Sequence, residues 1–494
     1  MHSSTSEAAA GTPTGLPTVL VIGGGIAGLA AAARLSGADG GEPTARVTLV
    51  EAGPRLGGKL RAGELDGIPV DLGAESLLAR RPEAMELARA VGLGEALQPP
   101  ATAKAAIWTR GELRPMPGGH LMGVPWDLDA LRASGVVSAA GLARIAEDRT
   151  RPATEIGEDA TVGGYVAERL GQEIVDRLVE PLLGGVYAGH AEQISMRAAV
   201  PQLLAAARRG GSLVEGVHEL LAAVPANPAP VFTGIAGGIG RLPVAVADAC
   251  RAAGAELLTD APVSGLRRTP TGWTCTAGDR RLDADAVVLA VPAPAAAELL
   301  ATEAPGAATE LRAVEYASMA LVTLAFRRAD LADLPGGGLR GSGFLVPPVD
   351  GRSIKASTFS SNKWRWLAEA APESFVLRTS VGRHHEDQDL DLDDAELVAR
   401  SLGDLRAAAG LTALPYATTV TRWRAGLPQY PVGHLDRVAR AERLVAELPG
   451  LALCGAAYAG VGVPACIASA WRAADLVRAD LVKGAQRTEG TMGA

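Results

Sequence analysis

Cysteine, aromatic side chains and a surplus of positive charge are all scarce in this chain, and each scarcity excludes something. Four cysteines (Cys250, Cys275, Cys454, Cys466) form no C-x-x-C pair and no zinc spacing. Neither a disulfide framework nor a metal module is expected, and reduced thiols in a cytoplasmic protein are the plain reading. Aromatics make up 4% of the 494 residues, so the 48% hydrophobic content is mostly Ala, Val and Leu. The formal net charge is -8 and no basic stripe stands out, which argues against a nucleic-acid partner. The first sixteen residues, rich in Ser, Ala, Thr, Gly and Pro, lack the basic and apolar regions of a signal peptide and read as a flexible tail. The long uncharged run Leu451–Trp471 is interrupted by Gly455, Gly460, Gly462 and Pro464. It reads as strand, glycine-rich turn and helix rather than a membrane span.

What is present begins at TVLVIGGGIAGLAAAARL, Thr18–Leu35. A short apolar strand stops at three glycines and a helical pattern follows at once, so Gly23, Gly25 and Gly28 fit G-x-G-x-x-G in its informative context. Gly23 permits the tight turn, Gly25 lets a pyrophosphate approach the backbone, and Gly28 lets helix and strand pack closely. Gly24, Ile26 and Ala27 lie between them and belong to the same candidate site, where the helix N-terminus faces the phosphates. Glu51, at the end of the next strand, is placed to accept hydrogen bonds from a ribose hydroxyl.

The residues after Glu51, AGPRLGGKLR, include Ala52, Arg55, Gly57, Gly58 and Lys59. This stretch resembles the second fingerprint of FAD-containing oxidoreductases of the amine-oxidase and protoporphyrinogen-oxidase superfamily, and the implied cofactor is FAD. In that superfamily the turn at GIPVDLGAESLL lies beside the flavin, making Gly73, Ala74, Glu75 and Ser76 cofactor candidates. Further on, PLLGGVYAGHAEQISMRAAVPQLL (Pro181–Leu204) resembles the protoporphyrinogen/coproporphyrinogen oxidase family. The resemblance extends from Thr18 to Val477. It implies that Val263 contacts the adenine side of FAD and that Trp423 closes over the cofactor. It also implies that Val461, Gly462 and Val463 lie against the flavin ring, with the next helix N-terminus stabilising negative charge on reduced flavin.

The expected fold is α/β: a Rossmann-like FAD-binding domain assembled from residues 17–100, 231–300 and 441–480. A mostly helical insertion is expected at 101–230, a mixed-sheet substrate domain at 301–440 and a second flexible tail at 481–494. The clearest helix of the substrate domain is DAELVARSLGDLRAAAG. His190 reads as a solvated loop histidine, and HHEDQDLDLDD (His384–Asp394) as a solvated acidic loop rather than a metal site.

The implied chemistry is oxidation of a cyclic tetrapyrrole by six electrons in three flavin cycles, with dioxygen as acceptor and peroxide as product. Membrane-associated relatives contact the bilayer through the insertion. Here that segment is charged, and the tetra-anionic coproporphyrinogen III is the expected substrate, in haem biosynthesis. Protoporphyrinogen IX is the alternative. A flavin amine oxidase or carotenoid desaturase shares both fingerprints, but GGVYAG and GVGVPACI favour the porphyrinogen branch. No acid–base pair stands out, so no catalytic side chain is named, and no metal is expected. Arg110 and Lys363 are candidates for gripping propionates. A transient contact with a ferrochelatase-type enzyme that takes the product is also expected.

Overall fold

The computed structural model describes residues 15–222, 230–332, 334 and 338–492. Most of the first sixteen residues therefore lie outside the described part of the chain.

A run of β-branched and Leu residues with no polar interruption suits a parallel strand buried on both faces. Thr18–Ile22 is such a strand and sits at the centre of a five-stranded sheet. Its neighbours in order are Glu256–Leu258, Arg46–Val50, itself, Ala286–Leu289 and Leu451–Leu453, all paired in parallel. These strands come from the segments 17–100, 231–300 and 441–480. The Ile26–Ser36 helix is Ala-rich and nearly all buried, and it ends at Gly37 in the left-handed conformation (φ 79°). Its small side chains let it lie close against the helix Val463–Met492. That last helix runs to Met492, into the stretch where the sequence suggested a tail.

A seven-stranded mixed sheet forms the second layer. At one end Tyr316–Arg327 lies between the edge strand Ala417–Pro428 and Ser374–Val381. Its far edge is formed by Ala106–Thr109 and Glu112–Pro115, so the beginning of the 101–230 segment extends this sheet. Beyond a short ribbon, His120–Leu121 with Val124–Pro125, the rest of that segment is mostly helical around its own core, which includes Val166, Leu178, Leu183, Leu203 and Val217. A buried ion pair, Arg169 with Asp148, ties the helices to the loops at 152 and 211. A π-turn at Val175–Val179 precedes Pro181, whose missing N–H interrupts the regular ladder. No described helix is long and apolar enough to cross a membrane.

Candidate functional site

The carboxyl ends of the five parallel strands open onto one cavity of about 640 Å³. Such strand ends are where open α/β sheets hold ligands. Ile22 and Gly23 stand at the end of the first strand, Val50 and Glu51 at the end of the second, Ala290 and Val291 just after the fourth, and Gly455 and Ala456 just after the fifth. All of them line the cavity.

The glycines have separable roles. A Cβ on Gly23 (φ 110°) would lie 2.5 Å from the Ala290 carbonyl oxygen, and one on Gly28 would lie 1.8 Å from that of Gly23. Those two positions are closed by the protein itself. A Cβ on Gly25 would meet nothing within 4 Å. Gly25 has ordinary extended backbone (φ -71°) and caps the Ile26–Ser36 helix, so its freedom from a side chain leaves space in front of the helix N-terminus. The opening N–H groups of that helix point into this space with the positive dipole end behind them. The cradle therefore fits a dinucleotide diphosphate.

Glu51 lines the cavity and is held firmly: Gly24 N–H donates to its Oε2 at 2.6 Å and Gly53 N–H to its Oε1 at 2.9 Å. Each oxygen keeps a lone pair for a ligand hydroxyl. Ile26, Ala27, Ala52, Lys59, Ala74, Val263, Val461 and Val463 also line the cavity. Burial lowers the Lys59 ammonium from its usual range. Gly462 lies between two lining residues, in the turn that leads into the last helix.

Other candidate residues stand behind the cavity rather than on it. Gly24 is packed on the Glu51 side chain, and Gly28 on the strand turn. Gly73 supports the wall: a Cβ there would lie 2.0 Å from the Lys59 carbonyl oxygen. Glu75 turns away and pairs with Lys363 Nζ (2.9 Å) and Arg378 Nε (3.1 Å), while Ser360 donates to it at 3.0 Å. Burial alone would raise the Glu75 carboxyl, but Arg378 and Lys363 outweigh it and hold it at about 2. Ser76 Oγ accepts from Lys363. Lys363 is thus committed to Glu75 and Ser76 and does not serve as a propionate grip; Arg110 sits in an exposed turn away from the cavity. Trp423 is not on the lining: its Nε1 donates to the Leu72 carbonyl and its ring packs against the Gly73 turn.

Two loop expectations are corrected. His190 is half-buried, with Nδ1 at 2.9 Å from Glu180 Oε1, and hydrogen bonding to Glu180 raises it from the usual imidazole range. It is not a solvated histidine. His384 is buried, its N–H donating to the Ala188 carbonyl, so the segment His384–Asp394 is anchored rather than free. Its acidic part does precede the helix Asp394–Ala409, and Asp393 caps that helix through the Glu396 N–H.

Sequence reasoning missed Tyr316, Gly426, Leu427 and Cys466, all of which line the cavity. Tyr316 Oη accepts from Ala293 N–H at 2.9 Å, which ties the mixed sheet to the helix Ala293–Leu300 that follows the fourth parallel strand. Burial raises Tyr316 and pushes the Cys466 thiol up to about 11, so both stay protonated at neutral pH. Tyr430 was missed as well. Its hydroxyl donates to the Ala456 carbonyl and accepts from Gly460 N–H, pinning the glycine-rich turn, and its ring stacks on His434.

A profile of the family described as flavin containing amine oxidoreductase matches residues 26–478. A coproporphyrinogen III oxidase of Mycobacterium tuberculosis is 38% identical over 460 residues, covering 92% of this chain and 95% of the relative. One of Bacillus subtilis is 32% identical over 463 residues, covering 91% and 95%. A crystal structure from Exiguobacterium sp. 255-15, provisionally described as a protoporphyrinogen oxidase, superposes with a TM-score of 0.83 at 33% identity, covering 95% of this chain and 100% of that one. Cyclohexylamine oxidase from Brevibacterium oxydans shares the fold, with a TM-score of 0.66 at 18% identity over 94% of this chain and 99% of that one.

Proposed function

The chain belongs to the flavin-containing amine oxidoreductase family, and from that premise we propose that it oxidises coproporphyrinogen III to coproporphyrin III with FAD as cofactor and dioxygen as acceptor. The observation that carries the substrate class is the near full-length similarity to coproporphyrinogen III oxidases of several bacteria.

Gly25 and the opening N–H groups of the Ile26–Ser36 helix would hold the pyrophosphate, Glu51 a ribose hydroxyl and Val263 the adenine side. Val461, Gly462 and Val463 would lie along the flavin ring, in front of the last helix N-terminus. Bound there, FAD supplies a two-electron acceptor that dioxygen can reoxidise. The protein contributes binding, orientation and a largely apolar wall that excludes water. The titratable groups on that wall are Glu51, Lys59, Glu298, Tyr316 and Cys466. No hydrogen bond or ion pair joins any two of these groups, and no catalytic side chain is assigned.

In this reading the reaction runs in the cytoplasm, and the product, a free porphyrin, passes to a metal-inserting enzyme of the ferrochelatase type. Loss of six electrons and six hydrogens to dioxygen consumes three O2 and releases three H2O2 for each porphyrin formed. Oxygen uptake and peroxide should therefore both run at a threefold ratio to coproporphyrin absorbance. Peroxide released from a primary amine, with no porphyrin formed from coproporphyrinogen, would establish the amine-oxidase reading instead.

A further inference from the structure

Three of the chain's seven histidines meet where the helical segment rests on the mixed sheet. His190 Nε2 lies 3.1 Å from the His384 carbonyl. His384 and His385 follow the Ser374–Val381 strand, and their ring centroids are 3.8 Å apart. Successive side chains of an extended segment point to opposite faces. Here the left-handed backbone of His385 (φ 63°) turns both rings toward one carboxylate, that of Glu315. Glu315 Oε2 is 3.0 Å from His384 Nε2 and 3.6 Å from His385 Nε2, and the three potential ligand atoms all lie within 4.8 Å of one another.

Both ring nitrogens of His384 face side-chain oxygens. Nδ1 faces the Gln193 side-chain oxygen at 3.3 Å. A neutral imidazole carries one N–H. With that proton given to Gln193, Nε2 turns a lone pair toward the Glu315 carboxylate, and a cation between the two makes both contacts favourable. Metal-bound histidines show the same pattern, with the second ring nitrogen donating to a fixed oxygen.

We propose that Glu315, His384 and His385 form a site for a divalent ion of the zinc class, with solvent as fourth ligand. Two imidazoles and a carboxylate are a ligand set that zinc accepts, and bonds of about 2.1 Å place tetrahedral ligand atoms roughly 3.4 Å apart. The 3.0 and 3.6 Å separations bracket that value. Buried His384 fixes the site, while exposed Glu315 and His385 leave an entry path and room for water. The next residue, Tyr316, lines the large cavity, so an ion here stiffens the rim of the proposed active site. The site does not depend on the identity of the substrate or on the flavin.

The test uses the full-length protein as purified, stripped with a chelator and titrated calorimetrically with Zn2+ alone. One equivalent should bind, with a rise in thermal midpoint that saturates at the same ratio. The double variant Glu315→Gln/His385→Ala, altered at two exposed positions, should lose both effects while its midpoint without metal stays unchanged. Gln193→Leu, which removes no ligand, should weaken binding by about 10–100-fold. Absence of stoichiometric binding, or binding undiminished in the double variant, overturns the site. In that case the reversed Gln193 amide, donating to Nδ1, closes the network without a metal.

Discussion

At the scale of single residues, the three fingerprint glycines are chemically identical and structurally different. Gly25 faces open space, so Gly25→Val should fold normally and lose flavin, because the side chain fills the place of the pyrophosphate. Gly28→Val drives a Cβ into the Gly23 carbonyl and should destabilise the protein by at least about 1–3 kcal/mol. Paired measurement of thermal midpoint and bound FAD separates the two roles; equal loss of stability in both variants would contradict it. Glu75 carries a second prediction. Its carboxyl is lowered from 4.5 to about 2, so it contributes stability that is present above pH 4.5 and is lost as pH falls from there toward 2. Glu75→Gln should remove that part of the acid transition. It should also cost about 3–5 kcal/mol at neutral pH, because Lys363 and Arg378 lose their shared partner. A variant as stable as the parent would show that the pair contributes nothing. Sequence reading placed Glu75 in a cofactor turn because its partners stand 285 and more residues away and nothing local announces them.

At the scale of elements, the parallel strands were readable as short apolar runs, and the glycine signals after the first strand located the cradle. The remaining cavity wall follows from one rule, that every parallel strand delivers its carboxyl end to the same edge. That rule brings Ala290, Val291, Gly455 and Ala456 to the site, though none carries a motif. Trp423 shows how a position inferred from the resemblance shifts with local backbone geometry. The Ala417–Pro428 strand is bulged against its neighbour between Trp423 and Leu427, with Ala425 at φ 46°. The bulge turns Gly426 and Leu427 to the cavity and sends Trp423 behind Gly73. The glycine-rich turn after Leu451–Leu453 likewise depends on Tyr430, a distant residue. Tyr430→Phe removes the acceptor for Gly460 N–H and the donor for the Ala456 carbonyl. It should cost about 1–3 kcal/mol of stability and speed flavin release, read by the thermal midpoint and by flavin fluorescence appearing on dilution. Unchanged release would show that the turn holds its shape without the hydroxyl.

At the scale of the whole molecule, two sheets meet along one cavity: a parallel sheet gathered from three stretches of chain, and a mixed sheet that presents Tyr316, Gly426 and Leu427. The order of motifs made the first sheet legible. The second was less so, because its edge strands come from residues 106–115, and Ala106 pairs with Phe344, 238 residues later in the chain. The central claim is that this cavity serves an FAD-dependent oxidation of coproporphyrinogen III, and one measurement addresses it directly. Porphyrin fluorescence is followed in detergent-free buffer with the purified protein and, side by side, coproporphyrinogen III and protoporphyrinogen IX. A clearly larger kcat/KM is expected for coproporphyrinogen III, with the signal abolished in Gly25→Val. A larger kcat/KM for protoporphyrinogen IX would contradict the substrate assignment, and full activity in the flavin-free variant would contradict the site.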